Sequence, residues 1–247
     1  MERPQVKQRS SIVLRRLLNQ TGLARKKVFA VGFNKTGTSS LHALFESLGR
    51  PSYHGNRWRS CDDLALLRSY DCFSDGIPKD LAKLDRLFPG SKFILQVRDL
   101  DGWIYSRLAH VERSKKAKTY TGGAHWDATE EAVKAWVRER NAHHLSVLSY
   151  FSGRSSDLLI VNFIRDEAAA TKICEFLGKK GSYRRPEKNM NTRKARPAEH
   201  TAMIGRSIAA LGIPERELEY DIYCPSIAGP DAHSGFPPDT DLQALFS

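Results

Sequence analysis

The chain has 247 residues, and 39 Lys and Arg against 28 Asp and Glu give it a net charge of +11 with the histidines neutral. With 40% hydrophobic and 27% charged residues it carries enough apolar mass for a core, which excludes a wholly disordered chain and a small disulfide scaffold. No apolar run approaches the ~20 residues needed to cross a bilayer, and no apolar segment followed by a small-residue cleavage site marks a secretory signal. Cys61, Cys72, Cys174 and Cys224 form no C-x-x-C pair, so reduced thiols, no metal centre and a cytoplasmic location are expected. The basic surplus implies an anionic partner or substrate without naming it.

Residues 1–27 form an acid-poor arm in which Ile12, Val13, Leu14, Leu17 and Leu18 predict a short amphipathic helix, docking loosely on one domain that spans 28–224, with a membrane-surface or transit function as the alternative. Val28 to Gly32 reads as a short strand, and Leu41, Leu44, Phe45 and Leu48 then share a helical face that Gly49 and Pro51 close. The alternation recurs: a strand near Asp71 to Ser74, a helix carrying Leu81, Leu84, Leu87 and Phe88, and a strand ending at Val97. A long helix follows, with Asp127 and Glu130 at N-cap and N3 spacing and Val133, Trp136, Val137, Leu145 and Leu148 as its apolar stripe. His143 and His144 lie on it as packing or surface residues. Leu158 to Phe163 reads as a further strand, with a helix from about 167 to 177, and residues 225–247 as an irregular tail. Strands alternating with helices predict an α/β fold: a central parallel sheet flanked by helices in three layers.

The most informative stretch is Val28 to Leu48, where a strand feeds a loop, Gly32-Phe33-Asn34-Lys35-Thr36-Gly37-Thr38-Ser39-Ser40, that opens a helix. Backbone N–H groups and the positive helix end converge there, so an anion belongs in it. Gly32 and Gly37 have Walker A spacing, but Thr38 stands where nucleoside triphosphate enzymes carry lysine, and the lysine has moved into the loop as Lys35. A lysine inside the loop meets a shorter 5′ chain nearer its bridging oxygen, which points away from ATP. A second anion site is legible where the strand from Lys92 ends in Arg98, with Ser106 eight residues on: arginine forks two donors to a phosphate and serine adds a third.

Together these elements resemble the P-loop sulfotransferases that use 3′-phosphoadenosine 5′-phosphosulfate (PAPS). The resemblance rests on Lys35-Thr36-Gly37-Thr38-Ser39-Ser40, on Arg98 with Ser106, and on the segment DGIPKDLAKLDRLFPGSKFILQVRDLDGWIYS, which is similar to bacterial members; LLIVNFIRDEAAATKICEFLG is similar to the end of their core. It covers roughly residues 28–178 and implies a P-loop-type domain. It also implies that the loop, Asn34 included, binds the 5′-phosphosulfate, that Lys35 stabilises the bridging oxygen, and that Arg98 and Ser106 bind the 3′-phosphate. The closing R-K-G-x-x-G-D-W-K-N motif of the cytosolic small-molecule enzymes is missing. Its nearest counterpart, KNMNTRK, offers Arg193 and Lys194 for the 3′-phosphate.

The implied reaction is transfer of a sulfuryl group to a saccharide, lipid-linked, secondary-metabolite or peptide acceptor, releasing adenosine 3′,5′-bisphosphate. An alcohol needs a general base. His54, in SYHG after the loop helix, is the first candidate, because related sulfotransferases place their base in that region and an imidazole with an ordinary pKa of ~6.5 suits the task. Asp75, where the next strand ends, is the second, and His42 on the loop helix reads as a packing or surface residue. Trp58, Trp103, Trp126 and Tyr120 are candidates for a stacking wall at the acceptor. Two other readings compete: a small-molecule kinase with FILQVRD holding Mg²⁺, opposed by the lysine at 35 rather than 38, and a non-catalytic polyanion binder, opposed by the scatter of the basic residues. No nucleic acid is expected as partner.

Overall fold

The computed structural model describes residues 13–19, 21, 26–117, 127–186 and 196–229. They belong to two compact units, Met1–Val97 with Arg154–Met190 and Arg98–Gly153 with Asn191–Ser247, so residues 28–224, read as one domain from the sequence, are distributed over both.

The first unit holds the sheet. Its strands are β1 (Val28–Ala30), β2 (Ser52–His54), β3 (Cys72–Ser74), β4 (Lys92–Gln96) and β5 (Leu158–Val161), in the order β2-β3-β1-β4-β5. Every pairing is parallel. Helices α1 (residues 13–19), α2 (Thr38–Ser47), α3 (Leu64–Ser69), α4 (Leu81–Leu87) and α7 (Ala169–Phe176) complete the unit. The period-2 alternation of the strands sorts their side chains into two cores. On one face Val28, Ala30, Cys72, Ile94 and Val161 pack with Leu41, Leu44 and Phe45 of α2 and with Ala169, Ala170, Ile173 and Cys174 of α7. On the other, the register aligns Tyr53, Phe73, Phe29 and Phe93 across four adjacent strands. Phe29 lies 5.2 Å from Phe73 and 5.5 Å from Phe93 between ring centroids, and Trp58 and Phe88 cover the row at 6.0 Å from Phe29. Each fully buried ring in the row contributes roughly 1.5–3 kcal/mol. The expected three-layer α/β architecture is the one observed.

β2 is a strand that the sequence reading did not assign. Its three residues give too short an alternation to register as a period, and it exists because its neighbour β3 offers paired backbone groups. The arm, expected to dock loosely, is tied down where it is described. Asn19 Nδ2 donates to Asp71 Oδ1 at 2.6 Å, Lys27 Nζ donates to Asn19 Oδ1 at 2.8 Å and to the Tyr70 carbonyl at 2.7 Å, and Arg15 pairs with Asp71 at 3.1 Å. Burial pulls the Lys27 ammonium down from its ordinary 10.5 to about 8, with Asp71 opposing.

The second unit is helical: α5 (Leu100–Lys116), α6 (Glu130–Tyr150), α8 (Ala198–Ala210) and two 3₁₀ turns, Glu215–Glu219 and Pro225–Ile227. Its core is built on Trp103 and Trp136, with the Arg107 guanidinium 5.1 and 4.5 Å from their ring centroids. Arg140, fully buried, donates to the carbonyls of Arg98 (3.1 Å), Tyr220 (2.9 Å) and Asp221 (2.8 Å). Asn141 exchanges two hydrogen bonds with the Cys224 backbone, at 2.9 and 3.0 Å. Thr129, not Asp127, caps α6, accepting from the Ala132 N–H at 3.2 Å, while Asp127 pairs with Lys115 at 2.8 Å. The helix thus starts two residues later than the Asp127–Glu130 spacing predicts: the Thr129 hydroxyl takes a first-turn N–H, and the Asp127 carboxylate pairs with a cation instead.

All four cysteines are buried free thiols, and among the described residues no helix is long and apolar enough to cross a membrane. The connection at 118–126, with Tyr120 and Trp126, and the tail from 230 lie outside the described residues.

Candidate functional site

β1 occupies the centre of the sheet, between β3 and β4. From β1 the chain runs to β2 and β3 on one side and then to β4 and β5 on the other, so the loop leaving β1 opens where the connections diverge. In open parallel sheets this is the crevice in which ligands lie. The loop is the one carrying Lys35.

Its path is set by its glycines and by β4. A Cβ on Gly32 would meet the Gln96 carbonyl oxygen at 2.1 Å, so no larger residue passes there. The Gly32 N–H donates to Gln96 Oε1 at 2.9 Å, and the fully buried Gln96 thereby anchors the start of the loop. Thr36 Oγ1 donates to the Phe33 carbonyl at 2.6 Å, which turns that buried hydroxyl to the loop's own backbone. Lys35 adopts a left-handed conformation with φ 69° and Gly37 one with φ 91°. A left-handed lysine costs about 1–2 kcal/mol, a strain that clusters at functional positions. Gly37 is also the N-cap of α2, and no side chain caps that terminus. The first-turn N–H groups of Thr38 and Ser39 therefore face the helix end with its positive dipole, a natural anion seat.

His54 and Asp75 come to this same helix turn from the carboxyl ends of β2 and β3. His54 Nε2 lies 3.3 Å from Ser39 Oγ, and its Nδ1 lies 3.1 Å from Ser74 Oγ, so the ring is held from both sides. Thr38 Oγ1 donates to Asp75 Oδ1 at 3.5 Å. Asp75 also has a left-handed backbone, φ 75°, and the loop behind it is braced by Arg59, whose Nε donates to the Ile77 carbonyl at 3.0 Å. His42 stacks on His54 at 5.4 Å and pairs through Nδ1 with Ser52 Oγ at 2.8 Å. Burial lowers its pKa below the ordinary imidazole value, with Glu46 opposing and His54 adding to the fall. A further wall comes from the turn after β5: Phe163 Cδ1 would lie 3.2 Å from a Cβ on Gly37, and Arg185 Nη1 donates to the carbonyls of Phe163 and Ile164.

The first unit thus gathers Lys35, Thr38, Ser39, His54 and Asp75 around one helix end, with Asn34 half-buried and Ser40 buried in the same stretch. Gln96, Ser74 and Arg59, which hold the parts in place, escaped the sequence reading. A polar residue closing an apolar strand, FILQ, is the one signal that marked Gln96 in advance.

Arg98 and Ser106 belong to the second unit. Arg98 is the first residue after Val97, its Nε 3.9 Å from Asp99 Oδ1, and Asp99 caps α5 by accepting from the Gly102 N–H at 2.7 Å. Burial pulls the Arg98 guanidinium below its ordinary value, against Asp99 and Asp101. Ser106 is buried on α5. Trp58 and Trp103 are fully buried in the two cores, which removes them as a stacking wall; an indole is large enough that core packing claims it first. Arg193 and Lys194 lie outside the described residues. Fold and site define an α/β protein with an anion-type loop at the switch point of its sheet and two acid–base candidates beside it. No protein-family model matches this chain, and no curated protein sequence matches it.

Proposed function

We propose that the protein is a sulfotransferase that moves a sulfuryl group from PAPS to an acceptor hydroxyl. The observation that carries the reading is the loop at the end of β1, with its lysine inside at position 35 in a left-handed conformation and His54 fastened to the helix it opens. The donor set fits an oxyanion: an uncapped helix terminus that starts at Thr38, a lysine, and the hydroxyl of Ser39. PAPS supplies the activated sulfuryl group and departs as adenosine 3′,5′-bisphosphate.

In this reading the amides from Asn34 to Ser40 hold the 5′-phosphate. Thr36 contributes through its backbone, because its hydroxyl is spent on Phe33. Lys35 neutralises the charge that grows on the bridging oxygen as the S–O bond breaks. His54 takes the proton from the attacking hydroxyl as the new O–S bond forms, its ring aligned by Ser74, with Asp75 as the second candidate for this role. Arg98 and Ser106, with Arg193 and Lys194, are assigned to the 3′-phosphate on the sequence resemblance. The acceptor is a glycan, small-molecule or peptide hydroxyl.

Thermal-shift titration with adenosine 3′,5′-bisphosphate, ATP with Mg²⁺, and NAD tests the reading. A ligand at 100 times its Kd stabilises the native state by about 2.7 kcal/mol, which moves the melting temperature by roughly 5–10 °C in a chain of this size. The bisphosphate is expected to give that shift without added metal, and Lys35→Ala to lower sulfuryl transfer from PAPS by about 10²-fold. A shift with ATP and Mg²⁺ alone would turn the assignment toward a kinase.

A further inference from the structure

Helix α1 docks the wrong way round. At ~100° per residue, Val13, Leu14, Leu17 and Leu18 fall on one arc and Arg15, Arg16 and Asn19 on the other. A surface helix ordinarily lays its apolar stripe on the core. Here the polar edge is the docked one: Asn19 is buried against Asp71 and Lys27, Arg15 pairs with Asp71, and the Arg16 guanidinium sits 5.0 Å over the Tyr70 ring. The apolar arc faces outward, with Val13 59%, Leu14 59%, Leu17 55% and Leu18 38% exposed. These are four of the seven large apolar side chains exposed among the described residues.

The charge that flanks this arc in the sequence identifies what covers it. Residues 1–27 contain eight Lys and Arg and one acid, Glu2; Arg15, Arg16 and Lys27 are turned to the docked edge, which leaves Arg3, Lys7, Arg9, Arg25 and Lys26, a surplus of 5 − 1 = 4 flanking the arc in sequence within a chain total of +11. A second copy of the chain would bring the same surplus to the same place and be repelled. A nucleic acid would satisfy the charge and leave the leucines in water. A bilayer surface carrying anionic headgroups satisfies both, because the apolar arc enters the headgroup–acyl boundary while flanking Lys and Arg are drawn to the negative surface. We propose that residues 1–27 dock the protein on an anionic lipid surface, with Val13, Leu14, Leu17 and Leu18 inserted and α1 lying in the plane of the interface.

The test is co-sedimentation of the full chain with vesicles of phosphatidylcholine alone and of phosphatidylcholine with about 30 mol% phosphatidylserine, at low and high salt. Binding is expected to the anionic vesicles only and to weaken with salt. Leu14→Gln/Leu17→Gln is expected to weaken it by at least about tenfold with the melting temperature unchanged, since both side chains already stand exposed. Arg3→Gln/Lys7→Gln/Arg9→Gln is expected to weaken it as well. Failure to bind anionic vesicles, or binding that survives Leu14→Gln/Leu17→Gln, would overturn the proposal. So would vesicle-independent self-association, seen by sedimentation velocity, that the same double variant abolishes.

Discussion

Gly32→Ala is the most direct test of how the site is built. A methyl group at this position would stand 2.1 Å from the Gln96 carbonyl oxygen and 2.8 Å from the Gln96 Cγ and Cδ. An ordinary contact is above 3.4 Å, so β1 and β4 must separate by more than an ångström at their carboxyl ends. The obstacle is backbone within a sheet, and no rotamer relieves it. Overpacking of this kind costs about 1–3 kcal/mol, and stretching the buried Gly32–Gln96 hydrogen bond adds about 1 kcal/mol more. A loss near 3 kcal/mol corresponds to a fall in melting temperature of roughly 6–12 °C. Thermal melts followed by circular dichroism measure it, with Gly205→Ala as the contrasting variant. Gly205 lies within α8 with nothing within 4 Å of its Cβ position, so alanine there should stabilise by up to about 1 kcal/mol. Gly32→Ala melting with the native chain would refute the account of the loop's anchorage, whatever ligand the loop holds.

Three further outcomes are expected. Lys35→Gly relieves the left-handed backbone and should raise stability by about 0.5–1 kcal/mol while removing transfer activity; a destabilised variant would show that the lysine's packing outweighs its strain. His54→Ala should lower kcat for transfer by about 10²-fold or more, and near-normal kcat would move the role of base to Asp75. Lys27 binds its proton less tightly in the folded chain, about 8 against 10.5, so between those values the unfolded state carries more protons and stability rises with pH on its account. Compared by urea melts, the native chain should therefore gain on Lys27→Met from pH 8 to 10. A constant difference would mean that the ammonium is not destabilised by burial.

The parallel sheet and most of its elements were legible in the sequence because short apolar runs alternate with 3.6-period stripes, and that alternation needs no partner to be seen. The loop was legible too: Gly32, Lys35, Gly37 and the hydroxyls that follow are local chemistry at fixed spacing. What the sequence could not carry is anything that depends on a neighbour distant along the chain. β2 is three residues long and becomes a strand only beside β3. Gln96 becomes the loop's anchor only because β1 and β4 are adjacent, 64 positions apart at Gly32. Thr129 caps α6, and the expected cap Asp127 is paired with Lys115, which is 12 positions away. Trp58 and Trp103, indistinguishable in sequence from ligand-stacking rings, went to the cores. The inward polar edge of α1 is the clearest case. Sequence periodicity defines two faces of a helix but not which one docks; that choice was made by Asp71, a buried carboxylate whose desolvation is offset by drawing Asn19 and Arg15 onto it beside Lys27.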